Sequence, residues 1–111
     1  IATGSYVGTG TYGQSNPTVI NCGFKPKMML VFKEYGLTDD GRHLTKLYAT
    51  AEDNENSEFF YYEGLSKIYI DGDGTYIFFI TELSNGISYY CQDQWKQLNQ
   101  QFYRYYWFAF A

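Results

Sequence analysis

The one histidine of the chain, His43, stands in the polar stretch YGLTDDGRHL (residues 35–44) beside Arg42 and close to Asp39 and Asp40. Covalent catalysis there needs a nucleophile with a base to activate it. The only thiols, Cys22 and Cys91, have neither a helix N-terminus nor a local cationic neighbourhood to lower their pKa. His43 therefore reads as an exposed loop residue or as a hydrogen-bond donor to a ligand. Asp71-Gly72-Asp73-Gly74 begins like a calcium loop, but Glu82 reaches the closing ligand position only if an apolar strand bends into the ring. The adjacent carboxylates Asp39 and Asp40 point apart in extended backbone. No zinc or iron–sulfur spacing occurs, and no carboxylate pair can be placed across a cleft for glycoside hydrolysis. The inventory implies no enzyme, no metal and no cofactor.

Carbohydrate recognition fits the remaining residues. Sugars present apolar C–H faces between hydroxyls, so their sites combine Tyr or Trp platforms with Asp, Asn, Gln, Arg and His on loops. Such mixtures occur at residues 35–43, at residues 92–101 around Trp95, and near residues 61–63. They nominate Tyr35, Asp39, Arg42, His43, Gln92, Trp95 and Gln97 as glycan-binding residues. The same tyrosine surplus also suits protein interfaces, where rigid amphipathic rings give contact area at low entropic cost. Trp95 has a second reading, as a cap on the edge of the core.

The elements that must position these residues are strands. Turn signals arrive at short intervals, and the segments between them alternate or run apolar. Tyr6, Val7 and Tyr12 alternate with small residues, and Gly4, Gly8, Gly10 and Gly13 leave room for close backbone approach or bulges. Asn16-Pro17 and then Gly23-Phe24-Lys25-Pro26 break the chain, with Pro26 expected at the mouth of a strand over residues 27–34. In that strand Met28, Leu30 and Phe32 share one face and Met29 and Val31 the other. Residues 18–22, 45–51, 59–62, 67–70, 75–83 and 87–92 also read as extended. Asp71-Gly72-Asp73-Gly74 is a tight hairpin turn and Asn85-Gly86 another. Residues 95–98 make a helical turn at most. About seven to nine short strands without a helix predict an all-β antiparallel sandwich.

The length of 111 residues predicts a single domain with a real core. Its 13 Tyr, 9 Phe and 11 Gly against 2 Pro suit strands punctuated by glycine turns. The net charge of -4, with no basic run, argues against nucleic-acid binding. No apolar stretch approaches the roughly 20 residues of a membrane helix, and residues 1–13 lack the pattern of a signal peptide. Since Ile1 is not an initiator methionine, the expectation is a processed product or a domain cut from something longer. Cys22 and Cys91 read as two buried small hydrophobes.

The chain closes on Phe102-Tyr103-Arg104-Tyr105-Tyr106-Trp107-Phe108-Ala109-Phe110-Ala111. Phe102, Arg104, Tyr106, Phe108 and Phe110 alternate with Tyr103, Tyr105, Trp107 and Ala109, so both faces of this strand are apolar. The same holds for residues 27–33 and 75–83, although a two-sheet sandwich buries one face per sheet. The excess predicts a homo-oligomer, most simply a trimer. Phe108 and Phe110 are assigned to the core, and Tyr103, Tyr105 and Trp107 to the subunit interface.

Two sets of residues carry a family resemblance. The front set is Gly4-Ser5-Tyr6-Val7-Gly8-Thr9-Gly10-Thr11-Tyr12-Gly13, Asn16-Pro17 and Gly23-Phe24-Lys25-Pro26-Lys27. The rear set is Gln97-Leu98-Asn99 and Tyr105-Tyr106-Trp107-Phe108-Ala109-Phe110-Ala111. Together they resemble small C-terminal domains of bacteriophage tail-fibre and related virion proteins, mostly of Firmicutes phages. The outline of a strand after the Pro26-Lys27 step and a closing aromatic strand also looks like the H-type lectin domain, a trimeric antiparallel sandwich that binds sugars near subunit boundaries. The resemblance implies a non-enzymatic receptor-binding module at the C-terminal tip of a longer fibre protein in a virion, extracellular after release, whose partner is a bacterial surface polysaccharide. The alternative is a structural or decoration protein of the virion that contacts other subunits and binds no sugar.

Overall fold

The computed structural model describes residues 1–34, 58–70 and 76–111. They form eight strands in two antiparallel sheets of four, with no helix among the described residues. The strands are β1 (Ala2–Val7), β2 (Thr18–Asn21), β3 (Met28–Lys33), β4 (Glu58–Tyr62), β5 (Lys67–Tyr69), β6 (Ile77–Leu83), β7 (Gly86–Tyr90) and β8 (Arg104–Phe110). The first sheet has the order β1-β8-β3-β4 and the second β2-β7-β6-β5. The expected all-β antiparallel sandwich is observed. The expected strand over residues 45–51 and the turn at Asp71-Gly72-Asp73-Gly74 lie outside the described residues, but β5 and β6 pair as that hairpin requires, with Ile68 opposite Phe78.

The core lies between the inner faces. Phe59 of β4 meets Phe78 of β6 and Tyr89 of β7 at ring separations of 4.6 and 4.9 Å, so aromatic packing joins one sheet to the other. Tyr6 of β1 stacks on Tyr105 at 5.2 Å, and its hydroxyl donates to the Leu98 carbonyl at 2.7 Å and shares a 2.5 Å bond with the Tyr89 hydroxyl. Both cysteines are free and buried, as the sequence implies.

The terminal strand shows the expected alternation, but its faces are exchanged relative to the sequence assignment. Tyr105, Trp107 and Ala109 belong to the core, and Tyr103 packs against it half-buried. Phe108 is instead 38% exposed, and Phe110 lies on the same outward side. Periodicity cannot choose between two apolar faces; the cross-strand partner does. Gly4 sits opposite Trp107, and a Cβ at Gly4 would approach the indole to 2.5 Å, so the glycine leaves space inside for the largest side chain. Tyr105 and Trp107, assigned to the interface from sequence, are therefore core residues, while Tyr103 keeps a partly exposed edge. The strand also starts later than expected: Phe102 has φ 76° and stands 83% exposed before β8 begins.

Candidate functional site

Of the residues nominated from sequence, Tyr35, Asp39, Arg42 and His43 lie outside the described residues. Gln92, Trp95 and Gln97 follow β7 in quick succession, yet they go to different places.

Gln97 is fully buried. Its Nε2 donates to the Asn16 carbonyl at 2.9 Å and to Thr18 Oγ1 at 3.0 Å, while its Oε1 accepts from the Gly13 and Cys91 amides at 2.9 and 3.0 Å. An amide with two donors and two accepting lone pairs is thereby saturated. Gln97 is a structural clamp, which corrects its assignment to glycan binding. Asn99 repeats the device: its Nδ2 donates to Thr9 Oγ1 and the Thr11 carbonyl, both at 2.8 Å, and its Oδ1 accepts from the Thr9 amide at 3.2 Å. The two amides tie the glycine-rich front segment to the segment before β8. Main-chain bonds from Gly8 to the Tyr103 carbonyl and from Gly10 to the Asn99 carbonyl, at 2.7 and 2.8 Å, close the same latch. A Cβ at Gly8 would sit 2.0 Å from the Gln100 carbonyl oxygen, so the approach requires glycine there.

Between Gln92 and Gln97 the chain makes one helical turn. Asp93 Oδ1 accepts from the Lys96 amide at 2.8 Å in the manner of an N-cap, and Leu98 at φ 58° ends the turn. The turn leaves Trp95 42% exposed and buries Lys96, whose ammonium lies 4.1 Å from the centre of the Tyr76 ring.

Gln92 belongs to the outward face of the second sheet. There β5, β6 and β7 bring Lys67, Phe79 and Tyr90 into one cross-strand row. Tyr69 and Ile77 form the next, with Gln92 Oε1 accepting from the Ile77 amide at 3.4 Å. Phe79 and Tyr90 stack with centroids 5.0 Å apart and planes at 21°. The Lys67 ammonium stands 5.9 Å from the Phe79 ring, and Tyr69 is 61% exposed. The result is an aromatic floor edged by an ammonium, a phenol and a carboxamide. Lys67, Tyr69, Phe79 and Tyr90 went unrecognised as a site in the sequence. The signal was the second apolar face of residues 75–83, but joining it to neighbours needs the strand register.

The strongly perturbed ionisable groups serve the fold. The Gly64 amide, at 2.6 Å, does most to hold the Glu82 carboxyl below its usual range, followed by the Tyr61 hydroxyl at 2.9 Å, and Lys25 at 3.6 Å adds to it. Tyr61 and Glu82 thus bridge the two sheets. Burial pushes the phenols of Tyr89, Tyr6 and Tyr61 well up, and the Cys91 thiol up as well. Among the described residues no three His, Cys, Asp or Glu side chains gather as metal ligands.

Fold and surface together define an antiparallel β-sandwich that carries an aromatic platform on the outside of one sheet. No protein-family model matches the chain, and neither a curated protein nor a solved structure matches it.

Proposed function

We propose that this domain is a non-enzymatic receptor-binding module of a bacteriophage virion, the tip of a tail fibre that recognises a bacterial surface polysaccharide. The observation that carries the reading is the outward row of Lys67, Phe79 and Tyr90 with Tyr69 and Gln92 beside it. Stacked rings offer a flat apolar floor to the C–H face of a sugar, and the groups at its edges match the surrounding hydroxyls. A polysaccharide crosses such a surface as a chain, and several copies of the module held together would turn weak contacts into avidity. Trp95 adds an exposed indole shortly after the end of β7 in sequence.

The test is binding of purified cell-wall polysaccharides to the intact protein, by glycan array and calorimetry. Tyr69→Ala removes a 61% exposed ring, so the fold should be untouched while affinity falls about tenfold, equivalent to ~1.4 kcal/mol. A wild-type protein that binds no wall polymer but binds virion subunits would instead support the structural or decoration role.

A further inference from the structure

We infer that the outer face of the first sheet is the surface through which copies of this chain associate. This concerns the assembly that the recognition role invokes, but it rests on strand register, burial and charge, and it stands whether or not a sugar is bound.

Strand register places the residues in rows. Ser5, Tyr106, Phe32 and Glu58 form one row across β1, β8, β3 and β4; Thr3, Phe108, Leu30 and Phe60 form the next; Phe110, Met28 and Tyr62 form the third. The second and third rows are apolar except for Thr3. Phe60 is 48% exposed, Tyr62 52%, Met28 40% and Phe108 38%, while Leu30, Phe32, Tyr106 and Phe110 are half-buried. The rings are already ordered: Phe32 stacks on Phe108 at 5.9 Å and 12° and meets Tyr106 at 5.9 Å. Little side-chain entropy is left to lose when this face is covered.

Two arguments select a second copy as the cover. The first is area. An aromatic side chain presents about 150–250 Å² in full, so the exposed fractions of this face sum to roughly 400–500 Å² of apolar surface, the size of a monomer's largest and often functional patch. Polar neighbours on the same rows bring the face toward the ~800 Å² that each partner contributes to a standard interface. The second is charge. Arg104 begins β8, with Glu34 just past the end of β3 and Glu58 at the start of β4, so both signs stand at one end of the face. Glu34 is fixed there by the Tyr106 hydroxyl, which donates to it at 3.0 Å. Like faces can therefore meet with Arg104 of one copy against Glu34 or Glu58 of another, whereas a face of one sign would repel its own kind. The apolar rows then form the dry centre and the charges the rim.

The experiment is molar mass by light scattering across the micromolar range for the wild type and three variants, with circular dichroism and thermal unfolding as fold controls. The wild type is expected to be a multimer, and its mass gives the number of copies. Phe60→Arg, at an exposed position, is expected to shift the mass to that of a monomer with an unchanged spectrum. Arg104→Glu should weaken association at least tenfold, and Arg104→Glu combined with Glu58→Arg and Glu34→Arg should restore it, a rescue that general destabilisation cannot produce. A wild-type monomer at these concentrations overturns the inference, as does a multimer indifferent to both Phe60→Arg and Arg104→Glu. Loss of association leaves binding of a monovalent oligosaccharide to Tyr69 and Phe79 unchanged, so failure here and failure of the sugar reading are separately visible.

Discussion

Gln97 shows why residue type alone misplaces a side chain. A carboxamide in a polar stretch beside a tryptophan suits a sugar site as well as it suits a clamp. Burial decides: Gln97 holds four hydrogen-bond partners inside the protein and has none to offer outside. Gln97→Ala should leave main-chain groups of Gly13, Cys91 and Asn16 without their partner, at about 1–3 kcal/mol for each group that water does not reach. The expected loss is about 2–4 kcal/mol in urea unfolding, with sugar affinity of the folded fraction unchanged. A drop in affinity without a loss of stability would return Gln97 to the binding surface.

The front glycines and the segment before β8 act as one element, though ninety residues separate Thr9 from Asn99. Their contact is main chain against main chain at Gly8, where a methyl group would collide with the Gln100 carbonyl. Gly8→Ala is therefore expected to destabilise by at least ~2 kcal/mol and to raise hydrogen exchange at the Gly10 and Phe102 amides, both of which bond across this latch. Exchange that stayed slow at both positions would show that the latch tolerates the methyl group.

The whole molecule should be squeezed from both ends of the pH scale. Burial raises the phenol pKa values of Tyr89, Tyr6 and Tyr61. The folded state then holds its phenolic protons more tightly than the unfolded chain, so their contribution is complete below the unfolded pKa of about 10 and is lost as pH climbs past it. Glu82 has the opposite sign. Its lowered pKa gives stability that is present above the unfolded value of about 4.3 and lost as pH falls through the folded one. Tyrosinate absorbance and circular dichroism followed together should show buried phenols ionising in step with cooperative alkaline unfolding. Glu82→Gln should flatten the acid limb and leave the alkaline limb in place. Assembly belongs to the same scale, because covering the Phe60, Tyr62 and Phe108 face removes exposed apolar surface from water and should raise the unfolding temperature with protein concentration.

The amino-acid sequence by itself determined the architecture: the short apolar run of residues 28–33 bounded by breaks, the Asp-Gly signal between β5 and β6, and the glycine punctuation all encode short antiparallel strands, since these are properties of neighbours along the chain. It also set the surplus of apolar faces, which follows from period two alone. It could not choose which face of β8 is core, because Tyr105, Trp107, Phe108 and Phe110 are alike in hydrophobicity and differ only in what stands across from them. Tertiary structure made that choice through Gly4, whose missing side chain admits the Trp107 indole. In the same way Lys67, Phe79 and Tyr90 became a platform, and Gln97 a clamp, only when strand pairing brought distant residues to one place. Register and burial are non-local, so the candidate site is a property of the packed molecule.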